Sequence, residues 1–285
     1  MKFGDIRHTV VTAIFSDDSL SGLLMLKGGN ALELVHGVIH RGSLDIDLAT
    51  PEDLGDAGEV ERRLFAALRG GFGAAGFAVF DERFGPRPRV LGPSKPPTWG
   101  GYLAEFKLIA RDDARRLGGD IGRMRREAQA IGPGQQRTFR IEISKFEYCA
   151  AGMAADVGGC VVRVYTLEMC ALEKLRALCQ QMDEYPYTAG ARRPRARDFY
   201  DIQAIVERGN VDLGTAANLE LCRAIFAAKD VLPDLLGMLA ATREFHRPDW
   251  DQVRLTVPGR LMDFDYYFDY VVRLVVPKLQ ALWMK

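Results

Sequence analysis

Two carboxylates one residue apart, Asp45 and Asp47, close a stretch that begins Lys27-Gly28-Gly29-Asn30 and reads LKGGNALELVHGVIHRGSLDIDLAT. Leu44, Ile46 and Leu48 alternate with the two acids, which is the period of a strand with one buried face. On a strand, residues two apart project to the same side. Asp45 and Asp47 therefore stand together, and like charges so close raise each other's pKa unless a cation lies between them. Mg²⁺ answers that requirement, because it favours one or two carboxylates completed by substrate phosphates. The glycine pair upstream offers a backbone that phosphates can approach closely. The combination points to metal-assisted phosphoryl or nucleotidyl transfer.

A chain of 285 residues, 48% hydrophobic and 27% charged, has enough apolar material for a large core without disulfide or metal staples. Lys and Arg number 38, as do Asp and Glu. Zero net charge gives no ground for wholesale nucleic-acid binding, although local basic surfaces remain open. The five cysteines, Cys149, Cys160, Cys170, Cys179 and Cys222, form no CxxC pair. They read as small buried apolar residues in a reducing compartment. No apolar run approaches the roughly 20 residues of a membrane span, and the opening MKFGDIRHTV lacks a signal-peptide core. The expectation is a cytoplasmic protein with no membrane association.

Periodicity predicts helices over 5–16, 57–68, 167–181 and 197–207, with more helix over 219–239 and 266–283, where Pro233 and Pro277 interrupt. Asn30 is placed to cap a helix reaching about His36. Strands are predicted over 23–27, 43–49, 78–84, 102–109, 138–146 and 161–165. Residues 85–101, rich in Gly and Pro, read as a long loop of the kind that is functional or mobile. The simplest division is an α/β domain over 1–165 and a helical domain over 166–285.

A metal site needs acids converging from different strands. Glu142, polar in the alternating TFRIEISKF, is the first choice for a third acid. Glu105 competes with it, and Glu82 does so more weakly. Glu142 reads equally well as part of a solvated strand face.

The set KGGNAL and HRGSLDIDL resembles the first motif of the nucleotidyltransferase superfamily, and more closely that of the AbiEii/AbiGii toxin family, which includes the MenT-like toxins. LEKLRAL at 172–178 and RARDFYDI at 195–202 resemble that family's later Lys and RDxxD motifs. The resemblance covers roughly residues 20–50 and 138–210, in the expected order. It implies an α+β fold with a polymerase-beta-type mixed sheet and flanking helices, followed by a helical C-terminal domain. It implies Asp45, Asp47 and Glu142 as metal ligands for Mg²⁺, with Mn²⁺ as an alternative. Lys174 and Asp198 join them as catalytic residues. Lys27, Gly28, Gly29, Asn30, Arg41, Ser43, Arg197 and Asp201 would hold the NTP substrate. The implied activity is transfer of a nucleoside monophosphate to RNA, with the tRNA 3′ end as acceptor, under control of a cognate antitoxin protein or transcriptional regulator.

Each motif residue also has an ordinary reading. Lys174 on its own is a solvated helix lysine, Arg197 and Asp201 at i,i+4 a surface ion pair, and His36 and His40 structural histidines. Two arginine clusters remain, one over 111–126 interleaved with acids, the other Arg192, Arg193, Arg195 and Arg197. The second is the better candidate for an RNA backbone, with Tyr185 and Tyr187 available to stack a base. Transfer to a protein or small molecule, kinase-like transfer of a terminal phosphate, and a non-catalytic nucleotide-binding module are the alternatives.

Overall fold

The computed structural model describes residues 3–39, 45–93, 95–96, 98–130, 135–188 and 192–283. The expectations for His40, Arg41 and Ser43 lie outside these residues. Seven strands form one mixed sheet: β1 Met25–Lys27, β2 Ile46–Ala49, β3 Phe77–Arg87, β4 Gly101–Ala110, β5 Phe139–Ser144, β6 Met153–Val157 and β7 Cys160–Val164. Their order across the sheet is β3-β4-β5-β2-β1-β7-β6. β2 runs parallel to β5 and β1 parallel to β7, while the other neighbours are antiparallel.

Alternation along the central strands separates two faces. Phe139, Ile141 and Ile143 of β5 are buried, and Phe139 stacks on its cross-strand partner Phe106 with centroids 5.3 Å apart. Phe106 in turn meets Phe72 of a helix at 5.9 Å. That helix and the opening one, α4 Ala57–Ala74 and α1 Phe3–Phe15, pack against each other on this apolar side. Between them lie α2 Asp18–Leu23 and the short α3 Gly28–Asn30, which runs into a π turn at Ala31–Val35. The opposite sheet face carries Glu142 and Arg140 of β5 beside β2, and it is the polar one.

After β4 come α5 Arg111–Arg116 and α6 Ile121–Glu127. Part of the first arginine cluster is paired: Arg115 with Asp112, Arg116 with Asp113 and Glu127, and Arg125 with Asp81. The helical region consists of α7 Leu167–Cys179, α8 Ala196–Arg208, α9 Ala216–Ala227, α10 Arg243–His246, α11 Trp250–Thr256, α12 Phe264–Tyr270 and α13 Val276–Trp283. Thr166 caps α7 by accepting from Met169 N–H, and Thr215 caps α9 through Asn218 N–H. One contiguous hydrophobic core runs from Ile6 to Leu279.

Several elements differ from expectation, among them β6, which lies outside the expected strands, and Asn30, which lies inside α3 and makes no capping bond with its side chain. β3 continues to Arg87 through a bulge after Phe80, so part of the predicted loop is strand. The expected helix over 219–239 ends at Ala227, and Pro233 instead opens a 3₁₀ stretch, Pro233–Thr242. Pro277 does not break the last helix. A π turn at Val271–Val275 precedes it, with Val276 N–H bonding back to Val271 O, and this wider turn makes room for a ring that an α turn would set against the carbonyl four residues back. Among the described residues, no helix is long and apolar enough to cross a membrane.

Candidate active site

The register of the sheet builds a row of charges on the polar face. Lys27 on β1 lies opposite Asp47 on β2, and Asp47 lies opposite Glu142 on β5. The next neighbour in the row is Leu103 of β4, whereas Glu105 stands opposite Arg140 and bonds it at 3.1 Å. Glu82 pairs with Arg69 at 2.7 Å. Glu142 is thus the third acid that register sets directly beside Asp47.

Asp47 is the most perturbed member of the row. Burial pushes its carboxyl up to about 7; Lys27 opposes that rise, while Glu142, Glu173 and Asp45 add to it. Asp45 is also raised, by burial and then by Glu142, with Arg140, Arg87 and Arg197 pulling the other way. The turn above Asp47 requires glycine. Gly28 sits at φ +67°, and a Cβ there would fall 2.5 Å from Asp47 Oδ2. Asn30 works as a strut: its Nδ2 donates to Asp45 O at 2.7 Å, and Arg7 Nη1 donates to its Oδ1 at 3.3 Å. Arg7 is in turn held by two bonds to Glu33, at 2.6 and 2.8 Å.

Lys27 does not stand free for substrate. It bonds Glu173 of α7 and lies 3.4 Å from Glu147. Glu147 also receives Arg176 at 2.9 Å and Lys229 at 3.7 Å. Burial alone would raise Glu147, but Arg176, Lys27 and Lys229 outweigh it and hold the carboxyl at about 2. Lys229 moves the other way, down to about 8, because burial and the neighbouring Arg176 and Lys27 exceed the pull of Glu147.

Lys174 is not a solvated helix lysine. It is buried, with Nζ 3.0 Å from Asp198 Oδ1 and 2.7 Å from Asp201 Oδ2. Asp201 is fully buried, so the surface pair with Arg197 is not its arrangement. Asp198 also accepts from Arg195 Nε at 2.5 Å. Burial opposes ionisation of Asp198, but Arg195 and Lys174 hold its carboxyl well below the usual range. The backbone N–H of Arg195 donates to His246 Nδ1 at 3.0 Å, which ties the second arginine cluster to α10.

Many of these groups line a cleft of about 740 Å³ over the polar sheet face; Asp45, Asn30 and Asp201 are not among its lining residues. Its walls include Gly28, Gly29, Asp47 and Glu142 on the sheet side, Glu173 and Lys174 on α7, and Arg193, Arg195, Arg197 and Asp198 at the start of α8. Of the two tyrosines expected to stack a base, Tyr185 is a core residue. It is 2% exposed, and its hydroxyl donates to Lys229 O at 2.9 Å. His36 is structural, its Nε2 lying 2.8 Å from Tyr165 O. The cysteines are free, and all but Cys160 are buried.

Sequence reasoning missed Glu147, Glu173, Arg176 and Lys229. A signal existed in α7, where Glu173, Lys174 and Arg176 interrupt a helix that is otherwise apolar. Charges on a buried helix imply partners, but the partners lie on distant segments.

Among the described residues, no three carboxylate, imidazole or thiol side chains converge as a metal cage. Glu142 is bonded by Arg87. An acid pair whose inner member is half-buried, under a glycine that leaves no room for a Cβ, is nevertheless a donor set suited to a hard divalent cation completed by phosphate oxygens.

The sheet, its flanking helices and the helical C-terminal region are those of the nucleotidyltransferase class. The chain belongs to the nucleotidyl transferase AbiEii toxin family of type IV toxin–antitoxin systems, which it matches over residues 10–272. It is accordingly a nucleotidyltransferase. A candidate nucleotidyltransferase from H. pylori superposes with a TM-score of 0.52 at 16% identity, covering 98% of this chain and 96% of that one. MenT4, a nucleotidyltransferase toxin from Mycobacterium tuberculosis H37Rv, superposes with a TM-score of 0.50 at 14% identity, covering 97% of this chain and 82% of that one. At these identities the two structures show a shared fold. No curated protein matches the chain.

Proposed function

We propose that this protein transfers a nucleoside monophosphate from an NTP to RNA, with the tRNA 3′ end as the favoured acceptor and pyrophosphate as the leaving group. The observation that carries the reading is the placement of Asp47. It lies half-buried beneath Gly28, beside Glu142, in a cleft whose other wall bears Arg193, Arg195 and Arg197. Asp45 and Asp47 would hold Mg²⁺, or Mn²⁺ in its place. The ion would neutralise charge developing on the α-phosphate.

The chain's own residues supply the rest. The Gly28-Gly29 backbone admits the triphosphate close to the acids. The acceptor hydroxyl oxygen bonds to the α-phosphorus and gives up its proton to solvent while the bond to the bridging oxygen of pyrophosphate breaks, and the departing charge meets the cationic wall. Arg197 is the member of that wall whose charge is felt at Asp45. Lys174, which lines the cleft, would hold Asp198 and Asp201 and so keep α8 in position. Service by Glu142 as a third ligand requires its release from Arg87. The 1–165 portion would carry the acids and the 166–285 portion the cations. The family supports a cognate antitoxin as partner, and the reading places the protein in the cytoplasm.

Incubation of the purified protein with Mg²⁺, total RNA and NTPs labelled at the α- or γ-phosphate tests this. Label should enter RNA from the α position alone and should vanish in Asp45→Asn and Asp47→Asn. Transfer from the γ position would make the protein a kinase. Label on protein with none on RNA would redirect the acceptor.

A further inference from the structure

We propose that Trp99 is the stacking platform for the base of the incoming NTP, with the Gln180 amide beside it at the same end of the cleft. This rests on the nucleotidyl-transfer reading. Trp99 and Gln180 both line the cleft that contains Asp47. Trp99 is half-buried, backed by Tyr185 and Tyr187 at centroid distances of 6.1 and 6.5 Å. The ammonium of Lys95 lies over the ring, 4.8 Å from its centroid. An indole held on aromatic side chains in a polar cleft is a surface suited to a π-stacked base, which would displace the Lys95 ammonium from the face it covers.

The ring is fixed in place by its flanks. Trp99 N–H closes a turn onto Pro96 O at 2.9 Å. The buried ammonium of Lys229 donates to Thr98 O at 3.3 Å and to Lys145 O at 2.5 Å, pinning the residue before Trp99 to the end of β5. Two residues after Trp99, Gly101 begins β4 so close to β5 that a Cβ would sit 1.9 Å from Ile143 O. A platform held in place before the ligand arrives loses little entropy on binding.

The span is also suitable. Glu173 meets Lys27 in the row of charges, and Gln180 lies seven residues further along α7, a rise of about 10 Å. A nucleotide whose α-phosphate sits over Asp47 can reach this end with its base, since one ribose separates the two. Gln180 Nε2 donates to Tyr185 O–H at 3.2 Å, which orients the amide. Its carbonyl oxygen accepts and its second N–H donates, so it can bond a base edge. Residues 85–101, singled out in the sequence as a long Gly- and Pro-rich segment, thereby gain a role.

The test compares wild type, Trp99→Leu and Trp99→Phe in binding NTP and inorganic tripolyphosphate, each with Mg²⁺, and in transfer to RNA. Leu keeps apolar bulk against Tyr185 and removes the aromatic face; Phe keeps a smaller face. Trp99→Leu should weaken NTP binding about tenfold, in line with the loss of one stacked base, and leave tripolyphosphate affinity unchanged. Trp99→Phe should recover most of the loss. NTP should quench wild-type tryptophan fluorescence, and the quench should disappear in Trp99→Phe although binding persists. Equal loss for both ligands, no loss for either, or a rise in KM for RNA alone would each overturn the assignment. A wild type that neither binds NTP nor transfers would overturn the nucleotidyl-transfer reading as well. Wild-type transfer that Trp99→Leu matches at subsaturating NTP would overturn the platform alone.

Discussion

Asp47 carries an electrostatic conflict that a cation relieves. Its carboxyl stands at about 7, raised by burial and by Glu142, Glu173 and Asp45 against the pull of Lys27. A folded-state pKa above the unfolded value means that the group contributes stability fully below the unfolded pKa. That contribution is lost as pH rises through the folded one. In the absence of divalent ions, the protein should therefore lose stability between about pH 4 and pH 7 on account of this residue, and Asp47→Asn should melt higher than wild type at pH 8 in EDTA. Mg²⁺ competes with the proton, so its stabilisation of wild type should grow from pH 6 to pH 8 and be absent in Asp47→Asn. Thermal melts with EDTA and with Mg²⁺ measure both effects; a Mg²⁺ shift indifferent to pH would remove Asp47 from the metal site. Gly28 makes a companion prediction. A Cβ at φ +67° meets Asp47 Oδ2 at 2.5 Å. Gly28→Ala should cost about 1–2 kcal/mol in stability, and displacement of the acid should lower the transfer rate on the order of 100-fold. Chemical denaturation and single-turnover transfer would separate the two losses.

At the scale of elements, α7 and α8 are joined by one buried ammonium between two buried carboxylates. Removing one partner from such a cluster leaves uncompensated charge in a medium that solvates it poorly. Lys174→Met should cost about 3–5 kcal/mol. Asp201→Asn in the Lys174→Met background should recover part of that loss, because the fully buried carboxylate that Lys174 had neutralised is then uncharged, whereas Asp198 keeps Arg195. Urea titration of the double-mutant cycle checks the sign of the coupling. This clamp was half legible. The RDxxD spacing places Asp198 and Asp201 on adjacent turns of one helix face, but nothing local says that Lys174 lies between them. The strands that carry Asp47 and Glu142 were legible because their alternation is strict. β6, MAADV, was not, because exposed Met153 and Ala154 leave no period-two contrast. The sequence favoured Glu142 over Glu105 but could not decide between them. Both are polar residues on alternating strands, and only the register of β2, β5 and β4 tells which one faces Asp47. The Glu147 hub was hidden for the same reason, since Lys27, Glu147, Arg176 and Lys229 meet only across distant segments.

The whole molecule has zero formal charge, yet the charge is unevenly used. Three of the six arginines of α5 and α6, Arg115, Arg116 and Arg125, are paired with acids. Arg193, Arg195 and Arg197 converge on the cleft, where Arg195 is committed to Asp198 and Arg193 lies exposed at the wall. Net charge therefore says little about RNA, and the placement of charge says more. A polyanionic acceptor entering this cleft releases counterions in proportion to the phosphates it places on cations. Arg193→Glu should raise the KM for RNA while leaving the KM for NTP near wild type, and the fall of RNA affinity with salt should become shallower by about one phosphate contact. Arg115→Glu, on the exposed end of α5 and already paired with Asp112, should change neither quantity. Transfer assays across a salt series with the two variants side by side make the comparison. Equal effects from both would mean that RNA is attracted by diffuse charge. An effect from neither would mean that the acceptor enters the cleft without crossing the wall at Arg193.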